Sequence, residues 1–157
     1  MILYHGTNTD FAEIVLAKCR PNKDFGQGFY LTDIRSQAES MAVRRCEFEG
    51  AGVPIVQEYS FDENLLNSGD LKVLKFDGVS DDWAEFILMN RMAKGERKHD
   101  NDIVVGPVAD DGVVVQLNLY MQRLIDLDTL VEKLRFRKLN NQYYFGTERA
   151  IQKLKRI

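Results

Sequence analysis

Three separated stretches of the sequence decide the fold: Leu3–Thr7 (LYHGT), Gly26–Asp33 (GQGFYLTD) and Asn141–Phe145 (NQYYF). Each contains a short run of apolar and aromatic residues that predicts a β-strand, at residues 2–6, 29–32 and 142–145. Further strands are predicted at residues 53–61, 71–76 and 102–106. These strands do not alternate regularly with helices, so the sequence predicts an α+β fold rather than a doubly wound sheet.

Helices are predicted between the strands from capping residues and helical spacing of apolar side chains. The cluster Asn8, Thr9 and Asp10 is typical of an N-cap and predicts a helix over residues 11–18. The other predicted helices run from a cap at Asp33 or Ser36 to Glu49, from the cap Ser80 past Asn90, somewhere within 112–139, and from Thr147–Glu148 to the C-terminal region.

Length and composition favour a single globular domain over residues 1–157. The chain has a mass of 18.1 kDa, with 45% hydrophobic and 29% charged residues, and a chain of this size buries about two-thirds of its unfolded surface. No apolar run approaches the roughly 20 residues that cross a bilayer, and the start MILYH lacks the basic and long apolar regions of a signal peptide. A cytoplasmic protein without a membrane partner is therefore expected.

The sequence offers few metal ligands and an uneven charge. Cys19 and Cys46 show no paired spacing, and the chain has only two histidines, so no metal is expected. Residues 1–119 carry 12 Lys or Arg against 20 Asp or Glu, whereas residues 120–157 carry 9 against 4. The basic residues of the second part include Arg135, Arg137, Lys138, Lys153, Lys155 and Arg156. They predict either a contact with a nucleic acid or acidic partner, or a solvated helical face.

The three opening stretches resemble the ADP-ribosyltransferase superfamily in its diphtheria-toxin and poly(ADP-ribose) polymerase branch, which is named for a His, a Tyr and a Glu on separate strands. The matching positions here are His5, Tyr30 and Gln142, with an amide in place of the carboxylate. The chain also resembles stand-alone bacterial domains that share the His-Tyr-Gln pattern and a DFGxGFYLT run. The resemblance implies an ADP-ribosyltransferase-like split β-core flanked by helices, with NAD in the cleft as the donor substrate.

The resemblance also implies roles for the residues of the first stretch. Cleavage of the nicotinamide–ribose bond passes through a cation-like transition state similar to that of glycosidases, so both riboses have to be held. His5 would bind the adenosine-side ribose, and the backbone of Gly6 would pair with the nicotinamide carboxamide. Thr7 would add a hydroxyl contact or only cap the turn.

The second stretch is expected to bind the nicotinamide end of NAD. Tyr30 would stack on the nicotinamide ring, while Phe29 faces the opposite side of the strand. Gly28, together with Gly26, suggests a close approach of the backbone to the ligand. Arg20 would pair with pyrophosphate oxygens, or Asp24 would neutralise it within a local turn.

Gln142 distinguishes the functional hypotheses. Glutamine keeps a hydrogen bond to the ribose but loses the charge, a loss of about 10²–10³ in rate by analogy with other transition-state contacts. Asp102 and Glu148 are the candidates for a substitute acid. The alternative interpretation is a polar strand residue of no consequence.

Three functions remain open. The first is a mono-ADP-ribosyltransferase, a toxin or defence effector that modifies a protein or nucleic acid acceptor and is checked by a small antitoxin protein. The second is a catalytically silent module that binds NAD or ADP-ribose and acts through protein contacts. The third is an NAD glycohydrolase.

Overall fold

The computed structural model describes residues 1–135 and 139–157 and confirms the α+β class. Seven strands and five α-helices lie in these residues. The strands are β1 (Ile2–Thr7), β2 (Phe29–Leu31), β3 (Ile55–Ser60), β4 (Val73–Lys75), β5 (Ile103–Pro107), β6 (Asn141–Phe145) and β7 (Lys155–Arg156). The helices are α1 (Arg35–Glu49), α2 (Asp81–Arg91), α3 (Asp111–Met121), α4 (Leu127–Leu134) and α5 (Glu148–Ile151). Two short 3-10 helices cover Leu16–Lys18 and Glu63–Leu66.

The strands form two sheets. The three-stranded sheet has the order β1-β3-β7 and is antiparallel throughout. The four-stranded sheet has the order β2-β6-β5-β4, in which only β4 and β5 run parallel. Within residues 1–135 and 139–157 a single bridge joins the two sheets, where Tyr4 and Thr32 exchange backbone hydrogen bonds of 2.7 and 2.9 Å. The strands β1 and β2 separate on either side of this bridge.

Two hydrophobic cores cover the two faces of the four-stranded sheet. Alternate residues of β6 enter different cores, since Tyr143 and Phe145 lie in the first and Tyr144 in the second. The first core also takes Leu3 from β1 and therefore fills the space between the sheets. The second core contains Trp83 and packs the sheet against α2, α3 and α4.

Helix α1 packs closely on β1 because a glycine lies at the contact. A Cβ atom added to Gly6 would stand 2.0 Å from the carbonyl oxygen of Ala38 and 2.9 Å from the amide nitrogen of Ala42. Both alanines are buried. The absence of a side chain at Gly6 therefore sets the distance between α1 and the three-stranded sheet.

The predicted helix over residues 11–18 is wrong, because only Leu16–Lys18 form a single 3-10 turn. The polar residues that suggested an N-cap bind elsewhere. The Asn8 amide donates to Glu49 and to the carbonyl of Ala51, and Asp10 accepts hydrogen bonds from Gln57 and Arg156. Tertiary contacts thus take the groups that would otherwise have capped a helix.

Other element boundaries differ in detail. The caps predicted at Ser80 and Thr147 are confirmed, as is the end of α1 at Gly50, which has a φ of 63°. Neither Asp33 nor Ser36 caps α1, whose N-cap is Ile34 without a side-chain hydrogen bond.

The C-terminal region is not one basic helical face. Helix α5 ends at Ile151, and Lys155 and Arg156 form β7 on the three-stranded sheet. Arg135 pairs with Glu132 at the end of α4. The predicted basic residues Arg137 and Lys138 lie outside the described residues.

We expect Gly6→Ala to lower the free energy of unfolding by about 1–3 kcal/mol, the usual cost of overpacking a tight contact. Gly78→Ala is the matched control, since a Cβ at Gly78 meets no atom within 4 Å, and we expect it to change stability by less than about 0.5 kcal/mol. Denaturant unfolding measures both. Equal stabilities of the two variants would contradict the close contact between α1 and β1.

Candidate functional site

His5 lies where β1 and β2 separate. Its Nδ1 is 2.8 Å from the backbone carbonyl oxygen of Tyr30, and its ring packs against Phe29 with centroids 4.4 Å apart. Because a carbonyl oxygen only accepts, Nδ1 carries the proton and Nε2 is left as a hydrogen-bond acceptor. Within residues 1–135 and 139–157, Nε2 makes no hydrogen bond to the protein.

Burial keeps this imidazole neutral. The pKa of His5 is lowered from 6.5 to about 4, mainly because the ring is removed from water. The hydrogen bond to the Tyr30 carbonyl opposes this shift, and the positive charge of Arg45 adds to it. At neutral pH the side chain therefore offers an uncharged acceptor, which suits a hydroxyl donor.

Tyr30 is held by the loop that precedes its own strand. Its hydroxyl donates to the carbonyl of Gly26 at 2.7 Å and accepts the N–H of Phe25 at 3.0 Å. The ring stacks near Phe25 and meets Tyr144 edge-on. Burial raises the pKa of Tyr30 far above its ordinary range, so the phenol stays protonated and serves as a fixed anchor.

Gln142 shares a face of the four-stranded sheet with Tyr30. In the register of β2 and β6, Tyr30 lies opposite Tyr144, and Gln142 is two residues before Tyr144, so both side chains point to the same side. The Nε2 of Gln142 is 2.8 Å from Oδ2 of Asp24 and 3.4 Å from the carbonyl oxygen of Pro107. Both partners are acceptors, which assigns this atom as the NH₂ group.

Asp24 is a buried carboxylate that the sequence did not identify as part of the site. It is 6% exposed. Its Oδ1 accepts hydrogen bonds of 2.9 and 2.5 Å from Nε and Nη2 of Arg91, and its Oδ2 accepts the N–H of Ala109 at 3.2 Å. The only sequence signal was its place at the start of the DFGxGFYLT run.

Arg20 does not pair with Asp24. Its Nη2 is 2.9 Å from Oε1 of Glu49, and its guanidinium lies 5.4 Å from the centre of the Phe48 ring. Arg45 also approaches Oε1 of Glu49, with its Nε at 2.9 Å in an ion pair too poorly aligned for a hydrogen bond. One carboxylate thus faces two guanidinium groups, of which Arg45 also acts on His5.

Further cations surround this part of the surface. Partial removal from water lowers the pKa of Lys23, and the carboxylate of Asp24 opposes this shift. The positive charges of Arg20, Arg91 and Arg45 lower the pKa further. Lys23 is nevertheless an exposed residue. The four cations exceed the two carboxylates Asp24 and Glu49, so the region favours an anion.

The remaining residues of the predicted site make contacts within the protein. The hydroxyl of Thr7 donates to the carbonyl of Thr9 and caps a local turn. A Cβ at Gly28 would lie 2.2 Å from Cε2 of Tyr144. Packing within the protein therefore accounts for the absence of a side chain at Gly28, as it does at Gly6.

The two candidates for a substitute acid lie away from Gln142. The side chain of Asp102 accepts the N–H of Lys72 and the hydroxyl of Thr147. Asp102 immediately precedes β5, and its carbonyl accepts the N–H of Gly146. Gly106 of β5 is opposite Gln142, so Asp102 lies four residues, or about 13 Å, along the sheet from Gln142. Glu148 is exposed in the first turn of α5. The carboxylate that contacts Gln142 is Asp24.

Neither of two hollows on the surface of the described residues is lined by His5, Tyr30 or Gln142. A shallow one of about 890 Å³ lies between β4 and α2, and a smaller one of about 190 Å³ is lined in part by Gly26, Asn90 and His99. In the described part of the chain, no group of three or more His, Cys, Asp and Glu side chains is placed to hold a metal ion. No helix there is long and apolar enough to span a membrane.

The structure therefore brings the three predicted residues into one connected network but not onto one face. His5 touches the carbonyl of Tyr30 from the side of Phe29, whereas the Tyr30 phenol and Gln142 lie on the side of the helices. The loop of residues 24–26 joins these last two, since Asp24 binds Gln142 while Phe25 and Gly26 hold the Tyr30 hydroxyl.

These features define an α+β protein in which two sheets separate at a neutral histidine, next to a cationic surface and a buried carboxylate–amide pair. A protein-family model described as "Protein of unknown function (DUF3990)" matches residues 1–156. The chain belongs to the DUF3990 family. Comparisons with curated proteins and with solved structures gave no match.

The low pKa of His5 predicts a loss of stability in acid. His5 binds a proton near pH 6.5 in the unfolded chain and only near pH 4 in the folded protein. The neutral, buried imidazole therefore contributes fully to the free energy of unfolding above pH 6.5, and this contribution is lost as the pH falls. Between pH 6.5 and 4 we expect the free energy of unfolding to fall by on the order of 3 kcal/mol more in the parent than in His5→Gln.

Denaturant unfolding at several pH values measures this difference, and nuclear magnetic resonance titration provides an independent check. The chain has two histidines, so His99→Gln assigns the two imidazole signals. A His5 signal that titrates near pH 6.5 would contradict its burial.

Proposed function

We propose that this protein is a mono-ADP-ribosyltransferase that cleaves NAD at the nicotinamide–ribose bond and transfers ADP-ribose to a macromolecular acceptor. The observation that carries the proposal is the network of His5, Tyr30 and Gln142. These residues are far apart in sequence, yet His5 bonds to the Tyr30 carbonyl, and one loop holds both the Tyr30 hydroxyl and the Gln142 amide.

The arrangement of the sheets supports the same proposal. An ADP-ribosyltransferase-like core has two sheets that separate to form a cleft. Here β1 and β2 are joined by one bridge, Tyr4 to Thr32, in the part of the chain that the structure describes. His5 follows this bridge directly. The proposed cleft therefore begins at the residue that would bind the adenosine-side ribose.

The proposed chemistry uses two neutral acceptors. These acceptors lie on different sides of the four-stranded sheet and would bind different riboses of NAD. Nε2 of His5 would accept a hydroxyl of the adenosine-side ribose and Oε1 of Gln142 a hydroxyl of the nicotinamide-side ribose, where Tyr30 would border the nicotinamide. The bond between ribose C1′ and the nicotinamide nitrogen breaks with its electron pair moving to nicotinamide. A nucleophile of the acceptor then bonds to C1′ and releases its proton to solvent. The positive charge of the nicotinamide ring of NAD is thus replaced by one released proton, and the step is balanced.

The cationic surface supports a dinucleotide as the donor. Arg20 and Arg45 both act on Lys23, and Arg45 also acts on His5. Guanidinium groups bind phosphate oxygens well. Glu49 holds both arginines in place. We therefore assign the pyrophosphate of NAD to these three cations.

The acceptor and the regulation are inferred by analogy alone. A protein or a nucleic acid remains the proposed acceptor, but Arg135 and Arg156 belong to separate elements, the end of α4 and β7, and form no single basic face. A cytoplasmic toxin or defence effector restrained by a small antitoxin is the corresponding biological role.

The central test is nicotinamide release from NAD in the presence of cell lysate. We expect release together with labelling of a macromolecule from labelled NAD, and a loss of about 10²-fold or more in both His5→Ala and Tyr30→Ala. Tyr120→Ala, an aromatic truncation on α3, is the matched control and should retain activity. Protease and nuclease digestion of the labelled product identifies the acceptor class.

A silent NAD-binding module is the second candidate, because an amide stands where the branch has a carboxylate. Calorimetric binding of NAD without nicotinamide release would favour it. Release of free ADP-ribose without labelled macromolecule would instead indicate an NAD glycohydrolase. Absence of both binding and release, with the His5 and Tyr30 variants indistinguishable from the parent, would reject the proposed function.

The pyrophosphate assignment predicts that Arg45→Gln weakens NAD binding about tenfold, as expected for the loss of one charge-assisted contact. The neighbouring exposed residue provides the control, since Arg44→Gln leaves the cation cluster intact and should bind NAD as the parent does. Calorimetric titration with NAD measures both variants. Equal affinities would place the pyrophosphate elsewhere.

A further inference from the structure

We infer that Asp24 is a positioning residue for Gln142, and that it is the reason an amide rather than a carboxylate serves on β6. The inference rests on the proposed function for its kinetic consequence. Its structural basis is independent, because the hydrogen bond from Nε2 of Gln142 to Oδ2 of Asp24 is 2.8 Å long.

The position of Asp24 is fixed from three sides. Arg91 on α2 donates twice to Oδ1, and the backbone N–H of Ala109, just before α3, donates to Oδ2. The next residue, Phe25, is fully buried in the core between the sheet and the helices. The carboxylate therefore presents Oδ2 to β6 as a fixed acceptor.

A fixed acceptor determines which side chain can stand opposite it. A carboxylate at residue 142 would face the Asp24 carboxylate at hydrogen-bond distance, where two like charges cannot both remain ionised. Glutamine supplies the required N–H donor at the same length as glutamate. The amide at residue 142 thus follows from the carboxylate at residue 24.

The same hydrogen bond directs the reactive end of Gln142. With Nε2 bound to Asp24 and to the Pro107 carbonyl, Oε1 points away from both acceptors. In the described residues Oε1 accepts no hydrogen bond from the protein, so it is available to a ribose hydroxyl. Donation to a carboxylate also polarises the amide and increases the negative charge on Oε1.

The negative charge of the site therefore lies on the loop at Asp24 rather than on the strand. Gln142 relays part of this charge toward the ribose through its polarised amide. Arg91 balances the charge of Asp24 through Oδ1, whereas Gln142 binds Oδ2.

The test is a double-mutant cycle with Asp24→Asn, Gln142→Glu and the combination of both. The combination reverses the polarity of the hydrogen bond, since an amide at residue 24 would donate to a carboxylate at residue 142. We measure thermal unfolding at pH 5 and pH 8 and the kcat and KM of nicotinamide release for all four proteins. Glu47→Gln, an exposed carboxylate-to-amide change on α1, is the control.

We expect Gln142→Glu to lower the unfolding temperature more at pH 8 than at pH 5, because the carboxylates share a proton only in acid. Asp24→Asn should reduce kcat by about 10- to 100-fold with a smaller change in KM, since the amide loses its fixed direction. The double variant should regain stability at pH 8 relative to Gln142→Glu and activity relative to Asp24→Asn.

Additive effects of the two substitutions on unfolding would overturn the inference. Full activity of Asp24→Asn would also overturn it, provided that the parent protein releases nicotinamide. Failure of the proposed function has a different signature. In that case the parent releases no nicotinamide, while the unfolding measurements still report whether residues 24 and 142 are coupled.

Discussion

The hydrogen bond between the His5 imidazole and the Tyr30 carbonyl is the contact on which the site depends. Among the described residues one bridge joins the two sheets, and immediately beyond it the backbone carbonyl of Tyr30 would lack a partner on the side of β1. The imidazole supplies this partner, which satisfies the carbonyl and stabilises the separation of the strands. The His5 side chain thus stabilises the separated strands through Nδ1 and presents Nε2 as a free hydrogen-bond acceptor.

The strands could be read from the sequence because their signal is local. Phe29 and Tyr30 alternate between two cores as their positions in a strand require. Residues 143–145 of β6 are buried, with side chains in both cores. The caps Ser80 and Thr147 are also local, since each accepts from a backbone N–H three residues later. Such elements depend on neighbours in sequence and are therefore predictable.

The failures involve partners that are distant in sequence. Asp10 looked like a helix cap but binds Arg156, which is 146 residues away. Asp24 looked like a neighbour for Arg20 but binds Arg91 and Gln142 instead. No periodicity or spacing reports such pairings, so the short strand β7 and the carboxylate of the site became visible only in three dimensions.

The bare backbone of Gly6 has a consequence for the opposite end of α1. Helix and strand touch there without an intervening side chain, and the same helix carries Arg45, whose charge acts on His5. The absence of a Cβ atom at Gly6 therefore helps to set the distance between the charge of Arg45 and the imidazole. Gly6 thus affects the electrostatics of the site through the position of α1.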